Sequence, residues 1–339
     1  MSDLPLPQER FTQIGRDSVE KRLRATMAGN ALSHGWLVTA GKGAGKATQA
    51  YRIARGVLEP EALSSNDSFS MDGESRAAKL IAQGAHPDLF VAERQWNEKT
   101  SKYQSEITVE TIRQLTHFLN HTPAFGGARV AIVDTADDLN RSAANALLKV
   151  LEEPPANSLL LLLSASPGRL LPTIRSRCRR IILRDVDTQD VAKLVVSEGL
   201  ADEDEASRIA DHASGRPGYA LSLAAQDGAK VLGLADAFLT ASRHGKDIGR
   251  ISASFTARTP AEEWGFFTSS IASQLSDAAR AAGRGQVLKG PLADITPGAL
   301  IKGWEQVTQM VARGDGLNLD RGQIIAAMAF DLRRILAEQ

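Results

Sequence analysis

The sequence predicts an α/β domain of the phosphate-binding-loop type followed by all-α segments, and three observations predict it. A strand candidate, His34-Gly35-Trp36-Leu37-Val38-Thr39, runs into a glycine-rich turn and then a helix reaching to about Gly56. Val130 to Val133 is a short apolar run ending at Asp134, as a buried parallel strand ending in a functional carboxylate would. It is followed by a helix-spaced stretch, Asn140 to Glu153, and a second buried strand, Leu159 to Leu163, ending at Ser164. From about Gln189 onward the pattern changes to alanine-rich helical stretches.

Length and composition bound the answer. The 339 residues suffice for about two or three domains, and a hydrophobic content of 43% supports substantial cores. A formal net charge of zero argues against a free-standing, strongly basic nucleic-acid binder. The single cysteine, Cys178, excludes a disulfide framework and a multi-cysteine zinc site within the chain, and it suits a reducing cytoplasm. The first ten residues, M-S-D-L-P-L-P-Q-E-R, have no apolar core and are expected not to be a signal peptide. No apolar run approaches the ~18–20 residues a membrane-spanning helix needs. There is no internal repeat.

Taken in order, Asp17 to Ala28 reads as a helix with Val19, Leu23 and Met27 on one side. After the glycine-rich loop and its helix, Leu58 to Gln83 is expected to be a loop and a short helix. Asp88 to Gln95 reads as a strand, Trp96 to Tyr103 as a charged turn, and Gln104 to Ile107 as the strand closing a hairpin. Thr108 is placed to N-cap a helix ending near Asn120, with Ile112, Leu115 and Leu119 facing inward. In the helix Asn140 to Glu153, the side chains of Ala143, Ala146, Leu147, Val150 and Leu151 share a face, and Pro154-Pro155 stops it. A further element delivers Ser176-Arg177-Cys178, and Arg179 to Leu183 is the last strand. Three short helices follow (Thr188 to Glu198, Glu203 to Ala213, Gly218 to Ala225), then four longer ones (Val231 to Ser242, Glu262 to Ala282, Pro297 to Arg313, Arg321 to Ala337). Gly283-Arg284-Gly285 and Gly314-Asp315-Gly316 are read as separators, and helices of this length form a bundle. The scattered His34, His86, His117 and His121 lack metal-ligand spacing and read as packing or surface residues.

The loop Ala40-Gly41-Lys42-Gly43-Ala44-Gly45-Lys46-Ala47-Thr48 matches G-x-x-x-x-G-K-[ST] in part. Gly41, Gly43 and Gly45 leave backbone N–H groups open to a phosphate, and Lys46 offers a point charge. Ala40 replaces the first glycine, and Ala47 removes the hydroxyl that would ligate Mg²⁺. Thr48 lies one helical step further, about 100° around the axis, and substitutes poorly. The competing reading is a glycine-rich turn that binds nothing.

Together these residues resemble the AAA+ clamp-loader family of bacterial DNA polymerase III. The resemblance is carried by His34 to Lys46, Val130 to Asp134, A-N-A-L-L-K-V-L-E-E-P-P at Ala144 to Pro155, Ser176-Arg177-Cys178 and Ser214-Gly215-Arg216-Pro217-Gly218. It covers the first ~225 residues; the remainder matches in length and helicity. It implies an AAA+-type α/β domain over residues 1–183, a three-helix lid over 184–228 and an all-α collar over 229–339. The same resemblance implies membership of a five-membered ring that opens the sliding clamp and places it on primed DNA, with gamma or tau subunits supplying the ATPase.

An ATPase of this family needs a loop hydroxyl and a strand-end carboxylate for Mg²⁺, a Glu to orient water, and a lid Arg. Here these positions hold Ala47, Asp134 (a Walker B remnant), Thr135 and Gly218. Loss of the base alone costs about 10²–10⁴ in rate. Asp137 and Asp138 are nearby carboxylates, read as solvated or helix-capping rather than as a rescue. The part that serves a neighbour is retained: by resemblance, Arg177 of the S-R-C motif reaches the adjacent subunit's ATP, a role worth about 10³–10⁵. Its alternative is an ordinary surface arginine among Arg175, Arg179 and Arg180. Ser164 matches the sensor position, and Cys178 reads as a small buried residue.

The expectation is therefore a non-hydrolysing stator in a cytoplasmic, replisome-associated hetero-oligomer with gamma/tau and delta subunits. Contact with the sliding clamp and primed DNA comes through the complex, and no membrane partner is implied. No cofactor is required, ATP or ADP binding would be weak, and no zinc is expected, because Leu58 to His86 stands where relatives carry a four-cysteine module. Arg141 and Lys149 are candidates for DNA phosphate contacts, against a plain solvated helix face. The collar stripe Leu300, Trp304, Val307 and Val311 serves either the bundle or neighbours. Two alternatives stay open: an active AAA+ ATPase, either a motor subunit or a DNA-repair helicase, and a small-molecule P-loop kinase, against which Thr135 and the S-R-C context count.

Overall fold

Continuous burial along short strands, alternating with amphipathic helices, sets the architecture of the first part of the chain. In a computed structural model, the described residues are 4–28, 34–64, 68–98, 102–226, 228–256, 259–288, 290–317 and 319–337. The elements run α1 (Asp17–Ala28), β1 (Gly35–Thr39), α2 (Lys46–Leu58), α3 (Arg76–Ala82), β2 (Leu89–Glu93), β3 (Trp96–Asn97), β4 (Lys102–Tyr103), α4 (Val109–Leu119), β5 (Arg129–Asp134), α5 (Arg141–Glu152), β6 (Ser158–Ser164), α6 (Pro172–Arg177) and β7 (Arg179–Ile182). Then come α7 (Thr188–Ser197), α8 (Glu203–Ala213), α9 (Pro217–Ala224), α10 (Gly228–His244), α11 (Ile248–Ser254), α12 (Ala261–Gly283), α13 (Pro297–Leu317) and α14 (Arg321–Leu336). The chain divides into two compact units: residues up to Glu198 with Ala213–Leu221, and Gly199–His212 with Ser222 onward.

In the first unit five parallel strands are ordered β2-β5-β6-β1-β7. The strands are covered on both faces, as parallel sheets require. Leu37, Ala131, Val133, Leu160 and Leu162 face α4, α5 and α6 through Ile112, Leu115, Leu147, Val150 and Ile174. The alternate residues Trp36, Val38, Val130, Ile132, Leu159, Leu161 and Leu163 face α1 and α2 through Leu23, Ala50, Ile53 and Ala54. Register sets Glu93 beside Asp134 and Thr39 beside Ser164, so the carboxyl ends of four strands form one edge. Ligand sites in open α/β sheets lie outside such an edge.

The structure corrects several expectations. Asp88 to Gln95 contributes β2, but Gln104 to Ile107 does not return along it; β2 pairs in parallel with β5. The hairpin is the smaller pair Trp96–Asn97 with Lys102–Tyr103, and Ile107 bridges Leu139 instead. Thr108 precedes α4 in extended conformation but gives no side-chain cap; its hydroxyl lies 3.4 Å from that of Thr111. Met27's side chain lies outside the described residues.

The segment from Leu58 to His86 is held by packing and charge. Phe69 and Met71 are buried, and the Phe69 N–H donates to Glu20 Oε2 at 3.0 Å. Arg52 also grips Glu20, at 2.7 Å, and the Arg76 guanidinium lies 3.5 Å from the Phe125 ring centroid.

The second unit is helical. Phe238, Phe255, Trp264 and Phe267 form its aromatic core, with Phe255 and Phe267 at 4.4 Å between centroids. Gly314-Asp315-Gly316 is not a separator: α13 continues through it to Leu317. A Cβ at Gly314 would lie 2.4 Å from Ile324, so glycine there permits close helix approach, while Asp315 accepts from Trp264 Nε1 at 3.0 Å. α11 is an additional short helix between the expected ones. Leu300 and Val307 are buried in this unit, whereas Trp304 is 39% exposed and Ile301 and Phe330 are also exposed. Among the described residues, no helix is long and apolar enough to cross a membrane.

Candidate functional site

The loop between β1 and α2 is a turn that depends on glycine. Gly43 and Gly45 have φ of +81° and +85°, in the left-handed region that a side chain disfavours. Gly45 is the N-cap of α2, so unpaired N–H groups of that helix start at the loop.

The loop's carbonyls are engaged by the chain's own donors. Lys46 Nζ turns back to Ala40 O (3.1 Å) and Gly41 O (3.0 Å). Gln13 Nε2 donates to Gly45 O at 2.9 Å and Arg16 Nη2 to Ala44 O at 2.8 Å. The N–H groups of Gly218 and Tyr219, at the start of α9, donate to Gly43 O at 2.8 and 3.2 Å. The lid position expected to carry arginine is thus pressed against the loop, and a Cβ at Gly218 would sit 2.9 Å from Gly43 O. The lid arginine that does approach is Arg216. It donates to Ala213 O at 2.8 Å, and its guanidinium lies 4.7 Å from the Tyr219 ring centroid.

Electrostatics at the strand ends follow from burial. Burial, and then the Glu93 charge in register beside it, raises the Asp134 carboxyl above its usual value, against the pull of Lys46. Burial lowers Lys46, partly offset by Asp134 and Asp137. Tyr51 is pushed up to about 12 by burial, then by Glu93 and Asp134. Thr48 is buried at 9% exposure, and Ala47 has no side-chain oxygen. Asp134 thus has no loop hydroxyl from position 47 beside it, and Lys46 Nζ is directed at loop carbonyls.

Thr135 and Asp137 also differ from the simplest expectation. The Thr135 hydroxyl lies 3.0 Å from Leu163 O and 3.1 Å from Asp137 Oδ2, two acceptors for its one proton. Asp137 is half-exposed and is not a helix cap; Asn140 caps α5, accepting from the Ala143 N–H at 2.9 Å. Asp137 accepts from the buried Ser164 hydroxyl at 2.7 Å and the Ala165 N–H at 2.5 Å, and more weakly from the Ser166 N–H. Burial works against its charge, but these hydrogen bonds outweigh it and hold its carboxyl below the usual range. Asp138 pairs with Arg94 at 3.2 Å.

The S-R-C residues lie elsewhere on the first unit. Pro172 starts α6 at a position needing no N–H, and buried Ile174 docks it. Ser176 and Arg177 are exposed on its last turn. Arg177 Nη2 meets Glu152 Oε1 at 2.9 Å, with side chains 36% and 48% exposed, and Nη1 donates to Thr173 O at 3.1 Å. Exposed ion pairs of this kind contribute about 0–1 kcal/mol, so the guanidinium is tethered rather than enclosed. Cys178 is buried beneath it, and burial pushes its thiol up to about 12, leaving it neutral. Arg141 and Lys149 are both exposed on α5.

Sequence reasoning missed Gln13, Arg16 and Tyr219 as clasps on the loop, and Glu152 as the partner of Arg177. Long-range side-chain-to-carbonyl bonds leave no periodic signal. Glu152 carried one, since it belongs to the E-E-P-P run whose helix packs against α6. Among the described residues, no group of three or more His, Cys, Asp or Glu is arranged to hold a metal ion.

A family model described as "DNA polymerase III, delta subunit" matches residues 15–187, just over half of the chain. A DNA polymerase III subunit delta' of Pseudomonas aeruginosa is 47% identical over 106 residues, 31% of this chain and 30% of that protein. The subunit of the same name from Escherichia coli is 33% identical over 210 residues, 61% of this chain and 59% of that protein. These alignments span less than two thirds of either relative's length. Among solved structures, a DNA polymerase III gamma subunit-related protein of Thermotoga maritima aligns over 92% of this chain and 98% of its own at 17% identity, with a TM-score of 0.42.

Proposed function

The chain belongs to the family described as DNA polymerase III, delta subunit, and from that premise we propose that it is a non-hydrolysing, delta-prime-type stator of a clamp loader. It lends Arg177 to the ATP site of a neighbouring subunit and turns over no ATP of its own. The observation that carries this reading is a contrast. Lys46 is folded back onto Ala40 O and Gly41 O, while Arg177 stands on the surface, held by a half-exposed carboxylate.

The proposed assembly is a cytoplasmic hetero-oligomer with gamma or tau and delta subunits, acting on the sliding clamp and primed DNA through the complex. The residue division 1–183, 184–228 and 229–339 into α/β domain, lid and collar belongs to this reading. Exposed Ile301, Trp304 and Phe330 offer apolar surface for neighbours in the collar. Arg141 and Lys149 are proposed as weak DNA phosphate contacts, a role that one or two cations fill only in concert with other subunits. Any binding of ATP or ADP is weak and not required, and zinc plays no part.

The test compares the isolated chain with a reconstituted complex. The isolated protein shows no ATP hydrolysis above buffer, and adding it to gamma or tau and delta subunits raises clamp- and DNA-dependent hydrolysis. Hydrolysis by the isolated chain that disappears in Lys46→Ala overturns this reading in favour of an active AAA+ ATPase.

A further inference from the structure

A single carboxylate, Asp137, gathers donors from the ends of two strands. Its Oδ1 accepts the Ser164 hydroxyl at 2.7 Å, where β6 ends. Its Oδ2 accepts the Ala165 N–H at 2.5 Å and lies 3.1 Å from the Thr135 hydroxyl, whose proton it shares with Leu163 O. The Ser166 N–H lies 3.3 and 3.4 Å from the two oxygens. Only an ionised carboxylate offers two acceptor oxygens with lone pairs enough for this set.

Both chain segments leaving this point lead to Arg177. Ser166 O accepts the Arg169 N–H at 2.9 Å, closing a 3-10 turn at Pro167–Arg169, and α6 begins at Pro172. That connection is short, and Leu170 and Ile174 bury into the same core beside it. On the other side, the 3-10 turn Ala136–Asp138 that carries Asp137 leads into α5, whose last residue, Glu152, holds Arg177 at 2.9 Å.

We propose that Asp137 is a positioning residue for Arg177: it pins the exit of β6 to the exit of β5 and so fixes α6 against the sheet. The proposal rests on the reading of Arg177 as a charge lent to a neighbour. A stator needs such a pin because a trans charge acts through placement, and an error near 1 Å can cost on the order of a hundredfold in rate. In a chain whose own site turns over nothing, the strand-end carboxylate is then used to hold geometry.

The test uses full-length protein, alone and in the reconstituted complex, with Asp137→Asn, Asp137→Glu and Arg177→Ala. Asparagine keeps the shape but supplies one acceptor oxygen and turns an NH₂ toward a donor. In the free protein, Asp137→Asn is expected to speed amide exchange across residues 165–177 while leaving β1 and α2 protected. In the complex it is expected to lower the neighbour's kcat by about ten- to a hundredfold at unchanged ATP KM, with partial recovery in Asp137→Glu. In an Arg177→Ala background Asp137→Asn adds no further loss, since the two act through one group. Unchanged exchange across 165–177, or an equal kcat loss with Arg177 already removed, overturns the proposal while leaving the role of Arg177 intact. A silent Arg177→Ala removes the reading beneath it and the proposal with it.

Discussion

The loop Ala40–Ala47 and the last turn of α6 are both built around a cation, and they treat it in opposite ways. Lys46 has three donor hydrogens, and two go to carbonyls of its own loop, with burial lowering its affinity for a proton. Around it Gln13, Arg16, Gly218 and Tyr219 donate to the carbonyls of Gly43, Ala44 and Gly45. Arg177 meets one exposed carboxylate and one carbonyl one turn back. A guanidinium has five donors in a fixed fork, so most of its bonding capacity remains for a partner. The difference teaches that two cations of one unit can be satisfied to different degrees: Lys46 is turned onto its own loop, whereas Arg177 keeps donors unspent at the surface, as the proposed function requires.

The sharpest break of this comparison is substitution of the two cations in turn within the reconstituted complex. Arg177→Ala is expected to lower neighbour-site ATP turnover by about 10³–10⁵. Lys46→Ala is expected to leave turnover within about twofold, because the loop carbonyls can be hydrated at little net cost. Steady-state ATPase with clamp and primed DNA decides it. Equal losses for both would erase the distinction between the two regions.

Next in size is the fit of the loop against the start of α9. Gly43 needs positive φ, and a Cβ there would lie 2.7 Å from Tyr219 N and 2.6 Å from Tyr219 Cβ. Gly43→Ala therefore meets backbone strain and a clash, together about 2–4 kcal/mol. Tm should drop by roughly 5–10 °C, read by thermal melting of the isolated chain. Gly41→Ala is the control, since a Cβ there meets nothing closer than 3.4 Å. A near-neutral Gly43→Ala would mean that the loop and α9 are not locked together in solution.

Much of this arrangement was legible in the sequence, and the illegible part has physical reasons. Val130–Asp134 and Leu159–Ser164 announce themselves as buried parallel strands because both faces of the sheet are covered, which gives unbroken apolar runs. The Asn140 helix shows its face through period, and Pro154-Pro155 its end. What failed were local rules overruled by distant packing. Gly314-Asp315-Gly316 reads as a break, yet Ile324 and Trp264 hold it helical. Gln104 to Ile107 reads as a return strand, yet Ile107 is drawn to Leu139, its N–H donating to Asp138 O, and leaves β2 at the sheet edge. At the site, residue types named the empty positions Ala47, Thr135 and Gly218. They could not disclose that Asp137 would be tied up by Ser164 and Ala165, since no local pattern encodes contacts made 27 or 28 residues away.

Acid titration sharpens the comparison from the side of the strand ends. Glu20 and Asp137 have folded-state affinities for protons below the ordinary values of 4.5 and 3.8, and His86 below 6.5. For His86 burial is the main cause, and its Nδ1 accepts the Asp88 N–H at 3.1 Å, a bond that fits the neutral ring. In each case the unfolded chain binds the proton more readily, so stability falls as pH falls. The His86 contribution is lost on descending below about 6.5, and those of Glu20 and Asp137 on descending below about 4. Asp134 runs the other way, its raised value favouring the fold at low pH. Melting curves between pH 8 and 3 should show Tm declining in two stages. His86→Gln should flatten the first stage and Asp137→Asn part of the second. A single stage insensitive to either variant would show that these groups are not held as described.

The smallest effect probes how loosely Arg177 is held. Glu152→Gln removes the charge of its partner but keeps an acceptor oxygen at nearly the same place. An ion pair whose members are 36% and 48% exposed contributes about 0–1 kcal/mol, so Tm should move by no more than about 2 °C. Salt should narrow even that difference, because exposed charges are screened at physiological ionic strength. If Glu152 merely parks the guanidinium, freeing it leaves neighbour-site turnover unchanged or slightly raised, as the arginine no longer has to leave a partner to reach a phosphate. If Glu152 instead aims it, kcat drops while Tm stays put. Either result ranks Arg177 as movable or fixed, and a Tm loss well beyond 2 °C would mean that its tether is structural, which would bring the two cations of this molecule closer in kind than their surroundings suggest.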